Sequence, residues 1–397
     1  MFTGGFGPFR ATQLTELLSD VLNRSGRQLH HAVLHDVQYR RGHYYAIMEA
    51  NVRLPGGEPS QAFYGITTAQ VPFDAVGYFA TIADIDIFVW QHPADPLLPG
   101  LRLAATPAQV REHFVPDREL TALSAVIYRP LNRAVFQARL APTTAGGLSD
   151  TLFLKVLRSG TAQPVYAMHQ LLAAAHVPVV TPVAEPISDV LALPGGRGMP
   201  LGEYTRAEGA HNRFDSLELI DMLDRFPAEI MQRPQHASWA DRHQEFISSA
   251  RRTMPQESER ITRLGARLQR AHEHIRLGPI VPTHGDLYEA HILVDPITGK
   301  IQQLLDVDGA GPGYRVDDYA CLIGHLAVLG YNDPQPWGWQ TAMVTFQRLA
   351  EHTDPRTLAV RATTVVISLI PAYQPDAETQ SRGRAYLTIA EALMQLA

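Results

Sequence analysis

The chain reads as an α+β protein, with strands concentrated first and helices later. Three observations carry this. Alternating and short apolar runs dominate the first half. From residue 214 onward the apolar spacing turns helical. One compact loop-and-hairpin stretch, 281–308, is set among those helices. The order predicts a sheet-rich part followed by a larger helical part.

The elements follow in turn. Leu14, Leu17, Leu18, Val21 and Leu22 recur at helical spacing, and Ser25-Gly26 ends that helix. Strands are expected at 31–40, 44–54 and 61–67, with a turn at Pro55-Gly56-Gly57, and again at 85–90 before a proline-rich stretch. A short helix is expected at 107–114, then a second strand set at 122–128, 133–140 and 151–157. The two sets resemble each other loosely, placing Gly65 near Lys155, as a weak internal duplication would. A helix at 165–175, a strand at 177–182 and a hairpin at 187–193 follow. Long helical segments are expected at 214–231 and 240–275, and three or four helices after residue 308.

Composition narrows the class. At 397 residues, two or three cores are expected, and 45% hydrophobic with 19% charged residues is a folding composition. No apolar run is long enough for a membrane span. The opening Met1-Phe2-Thr3-Gly4 lacks a basic segment before an apolar core, so a cytoplasmic location is expected. The single cysteine, Cys321, excludes internal disulfides and a cysteine-built zinc site. A net charge of −6 offers no footprint for nucleic acid or an anionic membrane. Of the 17 histidines only His31 and His35 fall at His-x-x-x-His spacing, and they do so in an expected strand rather than a helix, so most read as solvated or packed. Only two lysines occur, Lys155 and Lys300, against a background of arginine. A lysine kept in the apolar run Phe153-Leu154-Lys155-Val156-Leu157 therefore invites a chemical reason.

The chemistry-bearing stretch is Pro282-Thr283-His284-Gly285-Asp286-Leu287-Tyr288-Glu289-Ala290-His291, continuing to Leu305-Asp306-Val307-Asp308. A carboxylate sits in a loop, a second polar side chain follows five residues on, and a strand pair ends in another carboxylate. Phosphoryl transfer needs such parts: one carboxylate to orient a nucleophile, and further groups to hold a divalent cation against phosphates. Glu289 reads as an exposed loop charge. Asp308 reads equally as a turn cap or as a second metal ligand.

These residues resemble the signature of the aminoglycoside phosphotransferase-like kinases, whose fold is the bilobal protein-kinase-like one. The resemblance is specific over 281–326 and looser around Lys155. It is strongest toward bacterial maltokinase- and glucosamine kinase-type members, which carry an added N-terminal domain. The resemblance implies an α+β cap domain at 1–115, an ATP-binding lobe and hinge at 116–205, and a helical lobe at 206–397. It also implies ATP and Mg2+ as cofactors, with Mn2+ an option. Asp286 would be the catalytic residue, and Asp306, His291 and Asp308 would serve the metal. Lys155 would contact the non-transferred phosphates, and the hinge residues Leu201, Glu203 and Tyr204 would face adenine. Asp318 reads as an N-cap for the helix that follows it.

Two departures from that pattern stand out. His291 occupies a position where the family places Asn or Gln, and imidazole suits manganese, zinc or iron better than magnesium. The helix after Lys155 holds no glutamate to pair with it, only His169 and Gln170. The expected function is transfer of the γ-phosphate of ATP to a hydroxyl or amine of a small molecule, a sugar, amino sugar or aminocyclitol. A nucleotide-binding pseudokinase and an aminoglycoside-inactivating phosphotransferase are the two alternatives.

Overall fold

A computed structural model describes residues 10–40, 42–53, 56–72, 77–82, 85–142, 150–235, 237–329, 337–370 and 377–397. Leu54 and Pro55, part of an expected strand end and turn, lie outside the described residues, as does the opening segment. The chain divides into two compact units: Met1–Tyr166 with Pro182–Gly195, and Ala167–Thr181 with Gly196–Ala397.

The first unit begins with helix α1 (Ala11–Arg24), whose apolar stripe of Leu14, Leu17, Leu18, Val21 and Leu22 is buried. It covers one face of a five-stranded antiparallel sheet made of β1 (Gln28–Arg40), β2 (His43–Arg53), β3 (Pro59–Thr67), β4 (Tyr78–Ile82) and β5 (Ile85–Gln91), in the order β1-β2-β3-β5-β4. Strand β4 was not foreseen; it is five residues long and gives no extended alternation to read. Two short helices follow, α2 (Leu101–Ala105) and α3 (Pro107–Phe114), the second opened by proline at its first position, where the missing N–H costs nothing.

The second sheet of this unit has the order β6-β7-β8-β9, from β6 (Leu120–Arg129), β7 (Arg133–Leu140), β8 (Thr151–Val156) and β9 (Val190–Pro194). Its core of Val110, Phe114, Phe136, Leu152, Leu154 and Val190 is separate from that under the first sheet. Both sheets fall within the first compact unit. Both sheets begin as antiparallel meanders, in keeping with the loose likeness of their sequences. Gly65, which that likeness would align near Lys155, lies under Trp90: a Cβ there would meet the indole at 2.2 Å, so that position serves packing.

Helix α4 (Ala162–Ala174) leads into the second unit. The strand expected at 177–182 is reduced to a bridge between Val179 and Leu304. Beyond β10 (Met199–Pro200) come short helices α5 (Leu201–Tyr204), α6 (Ala210–Arg213) and α7 (Glu218–Asp224). The long helices expected at 214–231 and 240–275 are broken where proline intervenes. Pro227 precedes a 3-10 turn, and Pro255 separates α8 (His243–Thr253) from α9 (Ser258–His272). Two small ladders follow: β11 (Ile280–Thr283) with β14 (Gly311–Tyr314), and β10 with β12 (Ile292–Val294) and β13 (Ile301–Leu304). Helices α10 (Arg315–Leu329), α11 (Trp337–Leu349), α12 (Pro355–Ser368) and α13 (Ala377–Met394) complete the unit around its main core.

Candidate active site

Strand pairing alone brings two loops together. Thr283, the last residue of β11, pairs with Gly311, the first of β14, and Ile292, the first of β12, pairs with Leu304, the last of β13. Residues 284–291 and 305–310 are therefore side-by-side connections at the same ends of two ladders. The loops touch closely. Gly285 has φ +83°, and a Cβ on it would lie 2.7 Å from the carbonyl oxygen of Gly309. Only glycine meets both the left-handed backbone and the close approach.

Hydrogen bonds then lock the loops. The main-chain N–H of Leu305 donates to the carbonyl of His291 at 2.8 Å. His284 is completely buried, with Nε2 3.0 Å from the carbonyl oxygen of Leu305. A carbonyl only accepts, so Nε2 carries the hydrogen and Nδ1 is left to accept from the N–H of Asp286, at 3.4 Å. Burial, reinforced by neighbouring His291, lowers the pKa of His284 to about 4, consistent with a neutral ring. Arg233 adds a third brace by donating to the carbonyls of Ala310 at 2.8 Å and Asp308 at 3.3 Å.

Asp318 is the largest surprise. It stands in the first turn of α10 and was expected to cap that helix. Instead, its carboxylate accepts from the N–H of His284 at 2.8 Å and of Gly285 at 2.9 Å. It is 2% exposed, and burial outweighs these bonds to raise its pKa to about 6. The helix thus serves as a post to which the loop is tied.

The outcome is a compact donor set. One ligand atom from each of Asp286, His291 and Asp306 lies within 4.8 Å of the other two. His291 donates from Nδ1 to the carbonyl of Asp286 at 2.8 Å, which leaves the Nε2 lone pair facing Asp306 Oδ2 at 3.4 Å. Asp306 itself is held in the left-handed region, φ 54° and ψ 46°, a conformation that aspartate tolerates better than most residues. Two carboxylates at such separation repel by about 3 kcal/mol at an effective dielectric of about 20. A divalent cation relieves that repulsion, so the residues present fit one. Their chemistry, two oxygens and one imidazole nitrogen, is less purely magnesium-like than an all-oxygen set.

Other expected residues fall elsewhere. Asp308 is not a member of the triad; it lies in the 3-10 turn just beyond Asp306, where Arg233 holds its main chain. The side chains of Leu201 and Tyr204 are 0% and 2% exposed in the core of the second unit, so a hinge here would face adenine with its main chain. The apolar demand of the helical core takes them, and of this trio only Glu203 is exposed. Lys155 is buried on β8, paired with Val135 of β7 and Leu191 of β9. Helix α4 carries no acidic residue in its first turn, and its His169 is buried with Nδ1 2.6 Å from the carbonyl of Val180.

Glu289 corrects another expectation, being buried rather than exposed. Its pKa rises to about 7 because burial disfavours the charge, and His325 Nδ1 is 3.6 Å away. Tyr288 stacks on His325, with ring centroids 4.5 Å apart, and lies against His291 at 4.0 Å. His325 belongs to α10, so nothing local in sequence announces this cluster. Among the described residues no helix is long and apolar enough to cross a membrane.

Comparison with known proteins completes the picture. No curated protein matches the chain in sequence. Among solved structures, a spectinomycin phosphotransferase in complex with ADP and spectinomycin is 13% identical, covers 73% of this chain and 97% of its own, and has a TM-score of 0.48. A macrolide 2'-phosphotransferase from Brachybacterium faecium is 19% identical, with coverages of 71% and 98% and a TM-score of 0.40. A Plasmodium vivax ethanolamine kinase is 11% identical, with coverages of 71% and 87% and a TM-score of 0.43. At these levels the structural likenesses carry no weight of their own. The sequence profile of the Phosphotransferase enzyme family (APH) matches residues 139–337, which is half of the chain and includes the whole of both loops. The chain belongs to that phosphotransferase family and is a small-molecule kinase.

Proposed function

We propose that the chain transfers the γ-phosphate of ATP to a hydroxyl or amine of a small molecule, with a sugar, amino sugar or aminocyclitol as acceptor. The convergence of Asp286, His291 and Asp306 carries this reading. Asp286 orients the acceptor group and receives its proton as the acceptor oxygen or nitrogen bonds to the γ-phosphorus and the bond from that phosphorus to the bridging oxygen breaks, releasing ADP. Asp306 and His291 Nε2 hold a divalent cation, magnesium or manganese. When bound, that cation supplies positive charge that offsets the phosphate oxygens. Lys155 offsets charge on the phosphates that are not transferred. His284, Gly285 and Asp318 keep Asp286 in register with Asp306, since phosphoryl transfer depends on positioning more than on covalent help. The sugar-type acceptor is supported by the resemblance to members with an added N-terminal domain, which the first sheet of this chain would match.

Calorimetry with ATP and either Mg2+ or Mn2+, on the wild type, Lys155→Ala and Asp306→Ala, tests the site before the acceptor is known. Metal-dependent binding that both substitutions weaken supports the reading, and a screen for phosphate transfer then starts with sugars. A folded protein that binds no nucleotide under either metal refutes it.

A further inference from the structure

Within the first unit, the turn between β6 and β7 is tied to the first sheet by a hydrogen-bond chain that no part of the mechanism above requires. Trp90, on β5, donates from Nε1 to the hydroxyl of Tyr128 at 3.2 Å, and that hydroxyl donates to Asp95 Oδ2 at 2.8 Å. The same oxygen accepts the main-chain N–H of Leu131 at 2.9 Å, while Asp95 Oδ1 accepts that of Leu97 at 2.9 Å. Asp95 is only 5% exposed, so these donors are what make its burial tolerable.

Leu131 is held on every side. Its φ is +60°, unusual for a residue with a branched side chain. Its carbonyl accepts from Arg158 Nε at 2.8 Å. Its side chain is buried with Val71, Phe88 and Trp90, against the first sheet. The next N–H, of Asn132, is used by the carbonyl of Arg129 at 3.0 Å. Two successive amides of the turn are therefore already committed within the protein. A glycine-rich loop would instead leave such amides free to wrap around phosphate oxygens. The turn is also close to Lys155 along the ladder: Arg129 pairs with Arg133, and Val135, two residues on, pairs with Lys155.

We propose that Asp95 is a positioning residue for the nucleotide, fastening the β6–β7 turn to the N-terminal sheet so that this sheet shapes the phosphate end of the site beside Lys155. The inference rests on the reading of Lys155 as a phosphate contact. On this view the N-terminal sheet supplies, from outside the turn, the definition that the turn's own sequence, Arg129-Pro130-Leu131-Asn132-Arg133, does not supply through glycines. Its flanking arginines are then presented from a fixed backbone.

The test compares ADP with adenosine, which lacks the phosphates. Binding of each is measured by calorimetry on wild type, Asp95→Asn, Leu131→Gly and Lys155→Ala, with amide hydrogen exchange at residue 131. An amide in place of the Asp95 carboxylate offers one accepting oxygen rather than two. We expect Asp95→Asn to weaken ADP about tenfold, to leave adenosine within about twofold, and to speed exchange at residue 131. Leu131→Gly, which keeps the turn's φ but removes the side-chain anchor, is expected to show the same selectivity. It keeps the test open if Asp95→Asn does not fold. Equal weakening of ADP and adenosine would mean general support of the fold and would overturn the proposal. Unchanged ADP binding in both variants, with Lys155→Ala still weakened, would overturn it while sparing the reading of Lys155. An unaffected Lys155→Ala would remove the underlying reading and the proposal together.

Discussion

Replacing Asp318 with alanine isolates the contribution of the post that holds the catalytic loop. The carboxylate accepts two main-chain N–H groups at 2.8 and 2.9 Å in a fully buried setting. Hydrogen bonds to a charged acceptor contribute about 1.5–3 kcal/mol each, and alanine leaves both donors unpaired. The cost of burying the charge, visible as a pKa raised to about 6, works against that gain. Net destabilisation of the helical unit by about 3 kcal/mol follows, equivalent to about a hundredfold faster exchange at the amides of His284 and Gly285 if local opening governs exchange. Hydrogen exchange at those two amides, together with urea unfolding of the whole chain, measures it. The sign with pH is fixed as well. A carboxylate whose folded pKa lies above its unfolded value favours folding below the unfolded value, and loses that contribution as pH rises from about 4 through about 6. Asp318→Asn has no such titration, so wild type should lose stability relative to it over that window. If Asp318→Ala unfolds within about 0.5 kcal/mol of wild type and its loop amides stay equally protected, the view of α10 as the loop's anchor is wrong.

Two further substitutions probe the site, and a third probes a buried histidine on α9. His291→Asn converts the donor set to oxygen only, so the ratio of Mn2+ to Mg2+ affinity should fall in calorimetric titrations; an unchanged ratio would mean His291 is not a ligand. Gly285→Ala forces a Cβ to within 2.7 Å of the Gly309 carbonyl at a positive φ, and should destabilise by about 1–3 kcal/mol while weakening Mn2+ binding, as denaturation and titration would show. His272, stacked on His243 at 4.2 Å, has its pKa lowered to about 4 mainly by burial. A histidine lowered in the folded state contributes stability above pH 6.5 that is lost as pH falls toward 4. His272→Gln should therefore lose less stability than wild type between pH 7 and pH 5, a difference readable from unfolding midpoints at the two values.

Much of this molecule is written locally. The α+β order, the buried stripe of α1 and the helices after residue 308 follow from apolar periodicity, which depends on neighbours only a few residues apart. The same holds for the suspicion attached to Asp286, His291 and Asp306. A tight loop and a short hairpin leave few ways to place them, and the structure does bring the three together. The breaks at Pro227 and Pro255 are local as well, since proline cannot continue a helix interior.

What the sequence could not disclose depends on partners distant along the chain. Asp318 looks like a helix cap until α10 is packed against the loop, because its hydrogen-bond partners lie 33 and 34 residues earlier. Glu289 looks exposed until the fold buries it and brings His325, 36 positions on, beside it. The side chains of Leu201 and Tyr204 join the helical core, which their short local stretch does not announce. Leu131 reads as an ordinary turn residue until Asp95, 36 positions away, takes its N–H. Spacing determined which chemical groups could meet. Packing determined which of them were buried, and burial set their hydrogen-bond partners and their charge.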